Sequence, residues 1–244
     1  MYRIGIDVGS TYTKYCILKD GSIDCLFLEK TPIRQREYFD RKIKKLAAEY
    51  PNSCITSCGY GKKNVLGVQN INELTALARG CYFCTRKNGT ILDVGGQDTK
   101  IISQRNGKLK DFFINDKCAA GSGMFLSNTL GMIAIPFDKV DLDGVSDIPI
   151  KLSSTCAVFA QSEIVEIIAD NRTEQEILQA VVWQIFIKAK PLLTKLPEDD
   201  ILLSGGFSQI PGIDRFASKA LDRNCNVIEN GTFMAAIGCA ISGE

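Results

Sequence analysis

The chain contains an internal repeat that constrains its fold more than any other feature. Residues 7–21 (DVGSTYTKYCILKDG) align without a gap with residues 93–107 (DVGGQDTKIISQRNG). Each copy begins at the end of an apolar run, turns at glycine, and continues through a second run to an Asp-Gly or Asn-Gly hairpin turn. A repeat at fixed spacing indicates duplicated structural units. We therefore predict two units that each begin with three strands and a glycine turn.

Beyond the repeats, helical and extended patterns alternate along the chain. Helices are predicted at residues 34–50 and 71–87, a turn that leads into a helix at 152–170, and further helices toward the C-terminus. The apolar run ILLS ahead of Gly205 and Gly206 is typical of a buried strand. This alternation predicts an α/β protein with two related halves.

The composition excludes several classes of chemistry. The chain of 244 residues has no histidine, which removes Ser-His-Asp and Cys-His nucleophile systems and every histidine-ligated metal site. The net charge of +1 gives no general attraction to nucleic acid or to an anionic membrane, so neither is an expected partner. No apolar stretch approaches the roughly 18 residues of a membrane-spanning helix, and the N-terminus lacks a signal-peptide pattern. We therefore expect a cytoplasmic protein.

The glycine turns of the two repeats have the composition of phosphate-binding turns. Glycine lets the backbone approach an oxyanion closely, and successive N–H groups form a concave anion site. Asp7 and Asp93 end the preceding strands and suit a hard cation such as Mg²⁺, while Gln97 can orient an attacking water. The other residues predicted here to contact a nucleotide are Gly9, Ser10, Thr11, Lys14, Gly95, Gly96, Gly205, Gly206 and Phe207.

The alternative interpretation is that these glycines only connect strands, as they do in any meander. Two copies in register, followed by a third glycine pair in SGGF, favour the phosphate-binding interpretation. A Walker-type loop and a dinucleotide-binding Gly-x-Gly-x-x-Gly turn after a strand are both absent from the sequence.

The residues from Asp7 to Lys14, those from Asp93 to Gln97, and the pair Gly205-Gly206 resemble three segments of one superfamily. They resemble the two phosphate segments and the adenosine segment of acetate and sugar kinases, heat-shock chaperones and actin. The resemblance implies two ribonuclease-H-like domains of the actin-like ATPase fold, with ATP or ADP and Mg²⁺ in the interdomain cleft. It places the first domain at 1–90 plus 228–244, and the second at 91–227.

Cys118 and Cys156 occupy matching contexts in the sequence. Each follows a group of helix-capping residues, and each is expected to precede a helix immediately. A helix N-terminus stabilises a thiolate, which is a good metal ligand. A [4Fe–4S] cluster usually takes four thiolates, so two per chain point to a cluster shared across a dimer axis. The alternative is that both are small core residues. The capping residues are Asn115 and Asp116 in the first context, and Ser153, Ser154 and Thr155 in the second.

The sequences NDKCAAGSGMFL and TCAVFAQSEIV resemble the cluster-binding segments of the activator ATPases of 2-hydroxyacyl-CoA dehydratases and benzoyl-CoA reductases. DVGGQDTK resembles the second phosphate segment of that family. The resemblance implies a homodimer with one bridging [4Fe–4S] cluster on Cys118 and Cys156. It also implies ferredoxin or flavodoxin as electron donor and a dehydratase or reductase as acceptor. Gly121, Ser122 and Gly123, which follow Cys118 closely, are predicted nucleotide contacts.

The chain departs from the family pattern at four positions. Ser122 and Met124 stand where Thr and Arg are common, Gln161 stands where Glu is usual, and Leu77 stands where His is frequent. Serine keeps the hydroxyl group, whereas methionine removes a positive charge that could contact the nucleotide or a partner.

Two other functions are compatible with the same superfamily. A small-metabolite kinase would need a substrate pocket with a general base, and it would not need Cys118 or Cys156. An ATP-switched actin-like scaffold would form filaments or capture a partner without redox chemistry.

The remaining eight of the ten cysteines are expected to be structural or surface thiols rather than disulfides. Among them, Cys16, Cys25, Cys225 and Cys239 are predicted to lie in the core, and Cys54 and Cys58 on one buried strand face.

Overall fold

The computed structural model describes residues 1–116, 118–144, 150–154, 156–197 and 199–243. The chain forms two compact units. Unit 1 comprises Met1–Asn88, Gln104–Lys110 and Asn230–Glu244, and unit 2 comprises Gly89–Ser103 and Asp111–Glu229. The assignment of functional domains to 1–90 plus 228–244 and to 91–227 stays a prediction.

The described residues form ten strands and seven α-helices. The strands are β1 (Tyr2–Val8), β2 (Tyr12–Lys19), β3 (Ser22–Lys30), β4 (Cys54–Cys58), β5 (Gln69–Asn70), β6 (Gly89–Val94), β7 (Thr99–Arg105), β8 (Lys108–Asn115), β9 (Ile201–Gly205) and β10 (Cys225–Val227). The helices are α1 (Gln35–Glu49), α2 (Glu73–Thr85), α3 (Gly123–Ile133), α4 (Ala157–Ala169), α5 (Glu174–Leu193), α6 (Ile213–Leu221) and α7 (Met234–Ala240). The helices predicted at 34–50 and 71–87 are thereby confirmed as α1 and α2, and the helix predicted within 152–170 is confirmed as α4.

The two sheets have the same strand order. The first runs β3-β2-β1-β4-β5, and the second runs β8-β7-β6-β9-β10. In the first sheet β1 pairs antiparallel with β2 and parallel with β4. In the second sheet β6 pairs parallel with β9, which pairs parallel with β10. The structure thus confirms that the sequence repeat encodes two units of one topology.

Each unit has its own hydrophobic core. In unit 1, β1 and β2 bury a cluster that includes Tyr15 and Phe39. In unit 2, α5 supplies many members of a larger cluster that includes Phe125 and Phe186. Helix α5 begins with a capping box, in which Thr173 accepts from the Glu176 N–H and the Glu176 carboxylate accepts from the Thr173 N–H. None of the described helices is both long and apolar enough to cross a membrane.

The predicted burial of the cysteines is largely correct, with a clear error at Cys25 and a partial one at Cys54, which is only half-buried. Cys16, Cys225 and Cys239 are buried, but Cys25 is exposed. Cys25 lies on β3, which is an edge strand of its sheet and exposes most of its residues. An edge strand lacks a neighbour on one side, so an apolar run there does not ensure burial.

Candidate functional site

The first glycine turn, Gly9 to Thr11, connects β1 to β2 in unit 1. Its Ser10 and Thr11 are exposed, as a ligand-binding role requires. The Thr31 hydroxyl donates to the Gly9 carbonyl at 2.8 Å, and the Thr31 N–H donates to the Thr11 carbonyl at 2.9 Å. A Cβ atom on Gly9 would lie 2.8 Å from the Tyr12 carbonyl, so this position is too tight for a side chain. Contacts within unit 1 therefore define the shape of the turn.

Asp7 is buried at the base of this turn and is oriented from two sides. Lys14 Nζ on β2 lies 3.1 Å from Asp7 Oδ2, and the Cys58 thiol on β4 lies 3.7 Å from Asp7 Oδ1. Both partners are directly opposite Asp7 in the strand register. The carboxylate is therefore held in one orientation before any ligand arrives.

Cys58 is a contact of the site that the sequence interpretation missed. Its predicted burial is confirmed, but its place beside Asp7 was not predicted. A hydrogen bond with the Cys239 thiol, together with full burial, raises the pKa of Cys58 well above its usual range. Cys58 therefore stays a neutral thiol that can donate to the carboxylate of Asp7.

The second glycine turn follows β6 in unit 2. Asp93 is half-buried, and its Oδ2 accepts a hydrogen bond from the Ser204 hydroxyl on β9 at 2.7 Å. The Gly95 N–H donates to the Asp98 carbonyl at 2.9 Å and closes the turn. Gly96 and Gln97 are exposed at the top of the turn. The structure thus leaves the amide side chain of Gln97 accessible to solvent and to ligands.

The two turns differ in the ion pair that supports them. Lys14 pairs with Asp7, whereas Lys100 at the equivalent repeat position pairs with Asp98 at 2.8 Å. Both Lys100 and Asp98 are buried. The second oxygen of Asp98 is buried without a hydrogen-bond partner among the described residues. This pair stiffens the second turn from beneath.

The third glycine pair, Gly205 and Gly206, lies at the end of β9. Gly205 has φ of +82°, and a Cβ there would lie 2.4 Å from the Val94 carbonyl, so only glycine fits. A Cβ on Gly206 would meet open space, consistent with a surface that a ligand can approach. Phe207, however, is buried in the core of unit 2, where its ring packs edge-on against Phe186 at 6.3 Å. Direct contact of Phe207 with a nucleoside stays a prediction.

Cys118 is half-buried and lies near α3 in unit 2. The expectation that a helix follows it immediately is inexact, because a 3₁₀ turn at Ala119–Gly121 comes first and α3 begins at Gly123. Asn115 is not a helix cap here, since its side-chain amide donates to the Cys118 carbonyl at 3.2 Å. Cys118 borders a surface cavity of about 410 Å³ that Asp116 and Lys188 also line.

The GSG segment after Cys118 is fully buried. The Ser122 hydroxyl donates to the Ala119 carbonyl at 3.1 Å, so this hydroxyl stabilises the 3₁₀ turn. The Gly123 N–H donates to the Gly95 carbonyl at 2.9 Å, which brings this segment against the second glycine turn. The predicted nucleotide contacts of Gly121, Ser122 and Gly123 are not tested by this geometry.

Cys156 is exposed and directly precedes α4, as predicted from the sequence. The Ala160 N–H donates to the Cys156 carbonyl at 3.0 Å and forms the first turn of the helix. Of the predicted capping residues, Thr155 lies outside the described residues. The N–H groups of Ser153 and Ser154 both donate to the Glu163 carboxylate at 2.6 Å. Glu163 therefore fastens the segment ahead of Cys156 to the body of α4.

An apolar surface lies next to Cys156 on α4. Four large apolar side chains of this helix are exposed, at 69% for Val158, 68% for Phe159, 55% for Val165 and 41% for Ile168.

Among the described residues, no group of three or more Cys, Asp or Glu side chains comes together in a way that could hold a metal ion.

Substitution of Glu163 by glutamine should release the segment ahead of Cys156. The hydrogen bonds from Ser154 and Ser153 keep the pKa of Glu163 below its usual range, so the contacts persist at neutral pH and are lost only as pH falls through that lowered value. Because hydrogen bonds to a charged group are the stronger ones, amide exchange of Ser153 and Ser154 at pH 7 should be about tenfold faster in Glu163→Gln. Hydrogen-exchange mass spectrometry measures this.

The matched control for this experiment is Glu166→Gln, an exposed glutamate on the same helix. It should leave the exchange of Ser153 and Ser154 unchanged. Equal exchange rates in Glu163→Gln and the parent would show that the carboxylate does not hold this segment.

Comparisons with known proteins agree with this arrangement. The chain is 32% identical to the activator of lactoyl-CoA dehydratase of Anaerotignum propionicum, over 99% of this chain and 96% of that protein. It superposes with a TM-score of 0.88 and 28% identity on the activator of 2-hydroxyisocaproyl-CoA dehydratase from Clostridium difficile with bound ADPNP, covering 100% and 94% of the two chains. It superposes with a TM-score of 0.89 and 28% identity on component A of (R)-2-hydroxyglutaryl-CoA dehydratase from Acidaminococcus fermentans, covering 100% and 97%.

The duplicated sheets and their glycine turns thus define an α/β ATPase of the actin-like fold. The BadF/BadG/BcrA/BcrD ATPase family model matches residues 4–243, and the chain belongs to this family. The resemblance and the fold inferred from the sequence are both confirmed.

Proposed function

We propose that this chain is an ATP-driven activator that passes a low-potential electron to a partner dehydratase or reductase. The observation that carries the proposal is the placement of Cys118 and Cys156. Both lie in unit 2, both have access to solvent, and both precede helical segments. Unit 2 also contains the glycine turn after Asp93, so one compact unit has a phosphate-binding turn and two candidate thiolate ligands.

Each unit contributes residues to ATP hydrolysis. Ser10 and Thr11, which are exposed, bind phosphate oxygens through their N–H groups and hydroxyls, and Lys14 supplies a positive charge close to Asp7. Asp7 and Asp93 would hold Mg²⁺ through waters; when bound, this ion neutralises charge on the phosphates. Gln97 orients the attacking water. Phosphoryl transfer depends on positioning and charge stabilisation, so a chain without histidine can perform it.

The cysteine pair fits a [4Fe–4S] cluster held between two copies of the chain. Two thiol donors per chain give four in a symmetric dimer, which is the usual ligand number. The cluster, when bound, stores and transfers one electron at low potential. Helix α4 begins directly after Cys156, and the positive end of its dipole would stabilise a negatively charged cluster bound there. The exposed apolar face of α4 supplies surface that a dimer would bury beside this ligand.

The relatives indicate the class of acceptor. They are named as activators of lactoyl-CoA and 2-hydroxyisocaproyl-CoA dehydratases, and a more distant relative is named as part of benzoyl-CoA reductase. By analogy, the acceptor for this chain is a 2-hydroxyacyl-CoA dehydratase or a related reductase, and the donor is a ferredoxin or flavodoxin. The protein is expected to work in the cytoplasm under anaerobic conditions.

Anaerobic reconstitution with iron and sulfide tests the proposal. The expected product is a brown dimer with about four irons per two chains, and it should hydrolyse ATP. Visible absorbance, iron analysis and light scattering measure the three properties. A colourless protein whose ATP turnover rises on addition of a small alcohol or acid would instead identify a metabolite kinase. ATP-dependent filaments without iron would identify a scaffold.

A further inference from the structure

The segment that contains Cys118 is fastened to the second glycine turn by two hydrogen bonds within unit 2. The Thr99 hydroxyl donates to the Gly121 carbonyl at 2.6 Å. The Gly123 N–H donates to the Gly95 carbonyl at 2.9 Å. The two bonds flank Ser122 and join the residues on either side of it to the two ends of the glycine turn. A movement of this turn must therefore displace the segment that follows Cys118.

Further hydrogen bonds and close contacts connect Gly121 to Cys118. The Gly121 N–H donates to the Cys118 carbonyl at 3.1 Å, and the Asn115 side-chain amide donates to the same oxygen at 3.2 Å. A Cβ on Gly121 would lie 2.2 Å from Asn115 Nδ2, and a Cβ on Gly123 would lie 2.8 Å from the Gly95 carbonyl. The neighbour of Gly123 is a backbone atom, which cannot rotate away, and the Asn115 amide is held by its hydrogen bond to the Cys118 carbonyl. Such close packing transmits small displacements.

Comparison of the two repeats shows what is special about Thr99. The equivalent residue in unit 1 is Thr13, whose hydroxyl lies 3.0 Å from the Thr31 hydroxyl. Thr31 in turn donates to the Gly9 carbonyl, so the unit 1 threonine supports only its own turn. In unit 2 the same repeat position reaches the cysteine segment instead. Thr99 is 1% exposed, and its hydroxyl is engaged by the Gly121 carbonyl rather than by solvent.

We propose that Thr99 is a positioning residue that couples nucleotide binding at the second glycine turn to the orientation of Cys118. The inference rests on the proposed function, since it assumes that this turn binds phosphate and that Cys118 is a ligand. The residue stabilises one arrangement of the turn and the cysteine segment together, so a ligand that shifts the turn also shifts Cys118.

The rate of Cys118 alkylation in the iron-free full-length protein tests the coupling without a cluster. The rate is measured anaerobically by peptide mass spectrometry, with and without Mg²⁺ and a non-hydrolysable ATP analogue. In the parent, the analogue should change this rate by about fivefold or more, the size of a typical coupling between sites. In Thr99→Val, which removes only the hydroxyl, the change should fall below about twofold, while the affinity for the analogue stays within about threefold.

Two control variants separate the effect of the Thr99 hydroxyl from a general effect of replacing a buried threonine by valine. Thr99→Ser keeps the hydroxyl and should retain the parental response. Thr90→Val makes the same exchange at a buried threonine of β6 whose hydroxyl has no partner among the described residues, and it should also respond as the parent. If Thr99→Val fails to fold, Thr99→Ala provides the same comparison.

A full parental response in Thr99→Val, or no response in the parent despite analogue binding, would overturn the coupling role of Thr99. Failure of the parent to bind iron in the separate reconstitution would overturn the proposed function instead. The two failures are therefore distinguishable.

Discussion

Replacement of Cys156 by serine should leave the reconstituted protein without bound iron. Cys156 is exposed at the start of α4, and in the proposed dimer each of the two chains contributes its Cys156 as a cluster ligand. One substitution per chain therefore removes two of four thiolates from the proposed cluster, and a serine hydroxyl does not replace a thiolate as a ligand for iron–sulfur centres. Iron content should fall from about four per two chains to nearly zero, with loss of the brown colour. Iron analysis and visible absorbance after anaerobic reconstitution measure the effect.

Cys25→Ser is the matched control for this experiment. Cys25 is also an exposed cysteine, but it lies on the edge strand β3 of unit 1. The Cys25→Ser variant should therefore bind as much iron as the parent protein. Equal iron content in Cys156→Ser and in the parent would contradict the proposed ligand role, whatever the ATPase activity of the variant.

The duplicated fold could be predicted from the sequence because its signal is local. The repeat 7–21 and 93–107 fixes strand, turn and strand in both units, and the resulting sheets have the same order. The strand register then places Asp7 opposite Lys14, a pairing that follows from a tight turn between adjacent strands. Features of this kind can be predicted because they depend only on the spacing of residues along the chain.

Contacts between distant residues could not be predicted in the same way. Cys58 contacts Asp7, which is 51 residues earlier in the sequence. The residues around Cys58 predict a buried strand, but they do not indicate that its thiol lies beside a carboxylate. The ion pair between Lys100 and Asp98 was not predicted either, because Asp98 stands where the first copy has the exposed Tyr12.

The surroundings of the two candidate ligands were predicted unequally. Cys156 directly precedes α4, as predicted, but the Glu163 carboxylate that holds Ser153 and Ser154 was not recognised from the sequence. Cys118 precedes a 3₁₀ turn instead, because the contacts of Gly121 and Gly123 with other segments determine where α3 can begin. Such positions depend on packing partners that are identifiable only in the folded chain.

Substitution of Gly238 by alanine should severely destabilise unit 1. Helix α7 crosses α2 at backbone contact, and an added Cβ on Gly238 would lie 1.8 Å from the Ala76 carbonyl oxygen. Gly80 on α2 is equally close to α7, at 1.9 Å from the Met234 carbonyl oxygen. Because backbone atoms cannot rotate away, the helices must separate, and the loss of unfolding free energy should be about 3 kcal/mol or more. Urea denaturation followed by circular dichroism measures it.

Gly131→Ala is the control, because it makes the same change in a helix with free space. Gly131 lies in α3, and a Cβ there would have nothing within 4 Å. Alanine at this position should raise the unfolding free energy by about 0.5–1 kcal/mol, since glycine is the poorer helix former. Parental stability of Gly238→Ala would show that α2 and α7 can separate at little cost. A loss in Gly238→Ala together with a gain in Gly131→Ala would instead trace the effect to the helix crossing, since both variants add the same methyl group.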